Sequence, residues 1–250
     1  MKRLLPVTLL LLATACFPSR ERPAADPSQV GPPSVRSDVV ADHAEQFDVD
    51  IGPRPAGSQQ EFAAATYITG HLQQAGYIMR LDAVPVADTV RSTNVIALAP
   101  SGSTDVLIAI DYDTEPGLKA GFGTGLGLWL ELARALKVAE PNHPVSFVAV
   151  GAENTRINGG SLGSRRLTQF LLDEDLDPLV IYVSKVGESA PPGLTVFGDD
   201  PGICVSKNCV QSVVRGTTAY ERAGFEYIVV AGDSEALGDA LLEFLANERR

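Results

Sequence analysis

Four short apolar runs limit what this chain can fold into. Residues 106–110, 145–150, 179–183 and 227–230 carry almost no polar side chain, so they do not alternate as half-exposed strands do. Runs of this length read as strands buried on both faces. Between and around them lie segments of helical period: 39–47, 58–75, 123–137, 161–172 and 234–247. Two further strands are expected at 78–84 and 94–98. Apolar strands that alternate with helices imply an α/β fold, a single domain with a mixed, largely parallel sheet flanked by helices on both faces. Ser58 is the expected cap of the second helix, with Phe62, Ala65, Ile68 and Leu72 on its buried face and Gly76 ending it. Hydrophobic residues make up 45% of the 250-residue chain and charged residues 20%, enough for a real core and unlike a disordered chain. A net charge of −11 argues against nucleic acid as a partner.

The first residues point to export. Met1-Lys2-Arg3 is a short basic start, residues 4–12 are an apolar stretch, and Ala13-Thr14-Ala15 places small residues directly before Cys16. This is the layout of a secretory signal and is too short for a membrane span. Small residues ending in Cys resemble the bacterial lipobox, although Ala13 stands where Leu is usual; the simpler alternative is an ordinary cleaved signal. The lipobox reading implies a signal peptide over 1–15, a lipidated Cys16 that anchors the chain to a membrane, and a cell-envelope location. Residues 16–36 include Pro18, Pro23, Pro27, Pro32 and Pro33 and read as a tether to a domain spanning 37–250. Removing the signal takes away Lys2 and Arg3 and deepens the acid excess. Cys204 and Cys209 close one small disulfide loop in an oxidising compartment, or remain as two buried thiols.

In sheets of this kind, sites gather in loops after the C-terminal strand ends. Asp111-Tyr112-Asp113-Thr114-Glu115, Gly151-Ala152-Glu153-Asn154 and Ser184-Lys185-Val186-Gly187 occupy those positions. On placement alone these are solvated loop carboxylates or an acid/base or metal site.

Several motifs in order narrow the choice. Gly52-Pro53-Arg54-Pro55-Ala56-Gly57-Ser58, the helix ending Ala75-Gly76-Tyr77, Asn94-Val95-Ile96, Asp111-Tyr112-Asp113-Thr114, Leu130-Glu131-Leu132-Ala133-Arg134, Val150-Gly151-Ala152-Glu153 and Leu162-Gly163-Ser164-Arg165 together resemble the zinc-dependent aminopeptidase family. That family includes leucyl aminopeptidases, glutamate carboxypeptidases and glutaminyl cyclases. The resemblance implies two zinc ions, bridged by a carboxylate and a water, with a neighbouring Glu as general base. Carried over residue by residue, the general base is Glu153. The five ligand positions become Asp111 for the first His, Gly121 for the bridging Asp, Asn154 for the second Glu, Ser184 for an Asp, and Thr217 for the last His. Only Asp111 keeps an anionic donor, and an amide or a hydroxyl is a weak zinc ligand.

The resemblance therefore implies a degenerate member in which no zinc is expected. It would be inactive and act by binding a protein or peptide partner, or as a structural part of the envelope. The alternative is a divergent metal-dependent peptidase that uses Glu153. Asp111, Asp113, Glu115 and Glu153 form a further candidate set for calcium or another hard cation. His43, His71 and His143 fall at no ligand position and read as packing or surface residues. Gly121, Gly123, Gly125 and Gly127 match no phosphate-binding fingerprint and read as close helix–sheet packing. Ser184 and Lys185 are adjacent on a strand and face opposite ways, which argues against a Ser/Lys pair.

Overall fold

A computed structural model describes residues 33–118, 122–139, 141, 143–186, 195–198 and 217–247. Cys16, Gly121, Cys204, Cys209 and the Lys185 side chain, all named above, lie outside the described residues. The described strands are β1 (Ile78–Pro85), β2 (Arg91–Leu98), β3 (Val106–Asp111), β4 (Val145–Val150), β5 (Leu179–Val186), β6 (Thr195–Gly198) and β7 (Tyr227–Gly232). The described helices are α1 (Ser37–Glu45), α2 (Gln59–Gln74), α3 (Gly123–Ala139), α4 (Leu162–Asp173), α5 (Thr217–Ala223) and α6 (Ser234–Asn247).

One sheet of order β1-β2-β4-β3-β5-β7-β6 contains all seven strands. The four apolar runs are its parallel centre, with β3 paired to β4 on one side and β5 on the other. The β1–β2 pair joins that centre antiparallel through β4, and β6 closes the far edge antiparallel to β7. The mixed, largely parallel α/β architecture expected from the runs is the one found.

Both faces of the central strands are dry because successive side chains point opposite ways. Val106, Ile108 and Ile110 of β3 join a core with Trp129, Leu126 and Leu132 of α3, Ile68 of α2 and Leu241 of α6. Their neighbours Leu107 and Ala109 join the opposite core with Leu167 and Phe170 of α4 and Tyr220 of α5. Trp129 places its indole N–H 3.0 Å from the Ile108 carbonyl, so even the largest core side chain is satisfied.

The α2 face differs from expectation. Phe62 is 73% exposed, and the buried residues are Glu61, Ala64, Ala65, Ile68 and Leu72. The reason lies at the helix start. Ser58 Oγ accepts the Glu61 N–H at 3.0 Å, as expected of a cap, while the Glu61 carboxylate accepts from Gly57 N–H and from Ser92 Oγ–H, both at 2.5 Å. These bonds turn Glu61 inward and leave Phe62 outside.

Two elements escape the sequence pattern, β6 and α5. Four residues and seven residues are too short to display a period. The glycine-rich entry to α3 also differs from expectation, since its closest approaches are to α1 rather than to the sheet. A side chain at Gly123 would meet the Ala44 carbonyl at 2.6 Å, and one at Gly127 would meet the Val40 carbonyl at 2.5 Å. Gly125 faces Ile110 and Val186 at ordinary contact distance. Ahead of α1, Arg36 donates from its backbone and side chain to the buried Glu131 carboxylate, which Arg134 also holds. The chain just before the first helix is therefore docked on α3.

Gly127→Ala is expected to push α1 away from α3 and to destabilise the fold by about 1–3 kcal/mol. Urea unfolding of the variant beside the parent chain measures this. An unchanged midpoint would mean that α1 is not closely packed there.

Candidate functional site

At the C-terminal edge of the sheet, β3 ends in Asp111 and β4 runs into Gly151-Ala152-Glu153-Asn154. Parallel pairing of β3 with β4 puts these two strand ends side by side, with Asp111 opposite Val150. The Asn154 side-chain amide donates to Asp111 Oδ2 at 2.7 Å and to the Asp113 carbonyl at 2.9 Å. Asp113 is fully buried and accepts backbone N–H groups from Glu153 at 2.9 Å and from Asn154 at 3.0 Å. The Tyr182 hydroxyl donates to Asp111 Oδ1 at 3.4 Å. Burial raises the pKa of both aspartates above the ordinary carboxylate range, and for Asp113 the nearby Asp111 adds to it.

Arg54 supplies the buried positive charge beside this pair. It comes from the Gly52-Pro53-Arg54-Pro55 loop and is fully buried. Its guanidinium donates to the carbonyls of Phe47 at 2.6 Å, Gly52 at 2.9 Å and Tyr112 at 2.9 Å. Its backbone N–H donates to Thr114 Oγ1 at 2.8 Å, and its carbonyl accepts from Thr114 N–H. The loop is thereby tied to the segment that carries Asp111 and Asp113. Burial lowers the Arg54 pKa, and Asp48, Asp113 and Asp111 counter that effect. The residue type alone gave no signal for this role. An Arg held between two prolines was the only hint.

Glu153 sits apart from the aspartate pair. It is 3% exposed, and Oε2 accepts the Ser164 N–H at 3.0 Å. Ser164 lies in the first turn of α4, whose preceding residue, Ser161, is left-handed and gives no side-chain cap. The Glu153 carboxylate thus serves as the acceptor for that helix N-terminus. Its other oxygen, Oε1, is buried with no hydrogen-bond partner, the one such side-chain atom among the described residues. Burial pushes the Glu153 pKa up to about 7; the Ser164 N–H opposes the shift, and the Asp111 charge adds to it.

The remaining sequence candidates are more dispersed. Ser184 is half-buried in β5, and Thr217 is buried at the start of α5. Glu115 pairs with Arg156 at 2.5 Å, so Asp111, Asp113, Glu115 and Glu153 do not converge as a shell for a hard cation. His43 is buried 2.7 Å from the Tyr67 hydroxyl and packs edge-on against His71. Burial first, then His71, lowers its pKa to about 4. His143 lies 3.1 Å from Asp105. These rings take packing and turn positions.

The donor set does not fit a zinc pair. Zinc in such a site needs anionic or imidazole donors aimed at one point. Asp111 instead accepts from an amide and a phenol, and Asn154 turns its N–H donors, rather than its carbonyl oxygen, toward Asp111. Among the described residues, no group of three or more His, Cys, Asp or Glu side chains is placed to hold a metal.

No family model and no curated protein matches the chain. Solved structures do. A leucine aminopeptidase precursor from Bacteroides thetaiotaomicron aligns over 88% of this chain and 100% of its own, with 16% identity and a TM-score of 0.74. A glutaminyl cyclase from the same organism, bound to N-acetylhistamine, aligns over 88% and 100% with 15% identity and a TM-score of 0.71. A Zn-dependent exopeptidase from Bacteroides vulgatus aligns over 88% and 99% with 16% identity and a TM-score of 0.70. The chain has the fold of these proteins, as its motifs implied.

A Glu153 pKa near 7 has a consequence for stability. The folded chain retains a proton that the unfolded chain releases near the ordinary Glu value. Stability therefore falls as pH rises from about 4.5 to about 7. Glu153→Gln keeps an acceptor for Ser164 N–H and removes the charge. It is expected to match the parent near pH 5 and to exceed it by about 2–3 kcal/mol at pH 8. Urea midpoints at the two pH values provide the check, and parallel pH slopes for the two chains would contradict it.

Proposed function

We propose that this chain is an exported, lipid-anchored domain with a zinc-exopeptidase fold that does not hydrolyse peptides through zinc and acts instead by binding. The observation that carries the reading is the Asn154 amide, which donates to Asp111 at 2.7 Å where the resembling enzymes would present a carboxylate to a metal. Around it, Arg54 and the backbone N–H groups of Glu153 and Asn154 supply the positive potential that holds the buried Asp113 beside the partly buried Asp111. A cluster satisfied internally in this way gains nothing from a divalent cation. It holds the loops after β3 and β4 in a fixed relation, which suits a rigid binding surface.

Purified full-length chain is expected to carry well under one zinc per molecule by elemental analysis. It should also leave aminoacyl anilide substrates uncleaved when zinc, cobalt or manganese is added. Two tightly held zinc ions per chain would overturn the proposal.

A second reading draws on the unpartnered, buried Glu153 Oε1 and the pKa near 7, which suit a general base in a divergent metal-dependent peptidase. Metal-dependent release of amino acids that disappears in Glu153→Gln would favour it.

The membrane anchor is tested separately. Cys16→Ser is expected to move the protein from the membrane to the soluble fraction of envelope preparations. An unchanged distribution would argue for an ordinary cleaved signal.

A further inference from the structure

The loop after Glu153 returns to the sheet by an unusual path. Asn158, Gly159, Gly160 and Ser161 all have φ between 52° and 83°, a run of four residues in the left-handed region. The loop is closed at its base by Ser161 N–H on the Glu153 carbonyl and Leu162 N–H on the Ala152 carbonyl. Beside it, between α4 and α5, is a hollow of about 760 Å³. That volume is in the range of small-molecule sites.

The lining of this hollow runs against the composition of the chain. The sequence has 31 acidic and 20 basic residues, yet none of the described residues that line the hollow is acidic, and Arg156, Arg165 and Arg222 are among them. Thr168, Thr218 and Ser161 add hydroxyl groups. Of the nine described arginines, six have a carboxylate within 4.0 Å. Two of the other three, Arg165 and Arg222, meet here. Arg165 is held in place by the carbonyls of Ser161, Asn158 and Gly160, at 3.0–3.3 Å, which orient its guanidinium without neutralising it. Arg222 makes no hydrogen bond or ion pair in the described structure. Arg156 is shared with Glu115.

We infer that this hollow between α4 and α5 is a binding site for an organic oxyanion, a small molecule whose carboxylate or phosphate groups meet Arg165 and Arg222. Arg222 keeps a planar guanidinium fork that matches either group with two parallel hydrogen bonds, while Arg165, whose Nε and Nη2 hydrogens go to the three carbonyls, adds its Nη1 hydrogens and its charge. A cation already fixed by three carbonyls loses little side-chain freedom on binding. The positive hollow also draws anions to a molecule whose overall charge repels them. The proposal gives a ligand class to the binding role above, but its residues are separate from the Asp111–Asn154 cluster. It therefore does not depend on the absence of zinc.

The test is calorimetric titration of the full-length chain at low ionic strength with citrate as the carboxylate probe and glycerol 3-phosphate as the phosphate probe. At least one is expected to bind with one-to-one stoichiometry, and the preferred probe identifies the group. Affinity should fall as salt is added. Arg222→Glu should weaken binding by roughly tenfold or more, Arg222→Lys should retain part of it, and Arg91→Glu, a charge change outside the hollow, should leave it intact. Because Arg222 has no structural bonds, circular dichroism should be identical for the parent and these variants. If neither probe binds, or if Arg222→Glu binds as the parent does, the inference is overturned. Zinc measured in the same preparation keeps the two questions apart, since a zinc-loaded chain that still binds its probe overturns only the earlier reading.

Discussion

Two neighbouring aspartates at the end of the central strand, Asp113 buried and Asp111 partly so, are the constraint that the rest of the site answers. Asp111 and Asp113 sit at the end of β3 because β3 is the middle of a sheet covered on both faces. Burial of two like charges so close together is unfavourable unless other groups repay the lost solvation. The surrounding chain supplies those groups: the Asn154 amide, backbone N–H groups from the β4 loop, the Tyr182 hydroxyl and the Arg54 guanidinium.

These groups come from three parts of the sequence, the Arg54 loop, the loop after β4 and β5, and each brings its own segment to the site. Arg54 pulls in the proline-bounded loop between α1 and α2 and fastens it through Thr114. Asn154 holds the β4 loop against the end of β3. Glu153, one residue earlier, points the other way and supplies an acceptor for the first turn of α4. The aspartate cluster and the helix start therefore share one short loop, and that loop continues into the left-handed turn beside the arginine-lined hollow. In this region both aspartate carboxylates have hydrogen-bond donors from the chain itself.

The unpartnered Oε1 of Glu153 is the exception within this scaffold. A buried carboxylate oxygen without a donor favours the neutral acid, which agrees with the raised pKa. The same feature would suit a general base if a metal-bound water stood nearby. In the absence of a fitting donor set, its physical effect is to make stability depend on pH across the neutral range.

The sequence by itself determined the architecture. Uninterrupted apolar runs cannot satisfy a half-exposed strand, so they required a sheet covered on both sides. The ordered motifs singled out Asp111, Glu153, Asn154, Ser184 and Thr217, and two of these, Asp111 and Asn154, meet in the fold. Only the tertiary structure decided what these residues contact. Nothing in the residue types reveals that Asn154 directs its amide to Asp111, that Glu61 rather than Phe62 faces inward, or that Arg54 is buried. Those outcomes depend on partners 31 to 60 residues away along the chain, such as Ser92 for Glu61 and Thr114 for Arg54. The hollow with Arg165 and Arg222 was hidden for the same reason: helices α4 and α5 are far apart in sequence, and only the folded sheet brings their two unpaired cations to one place.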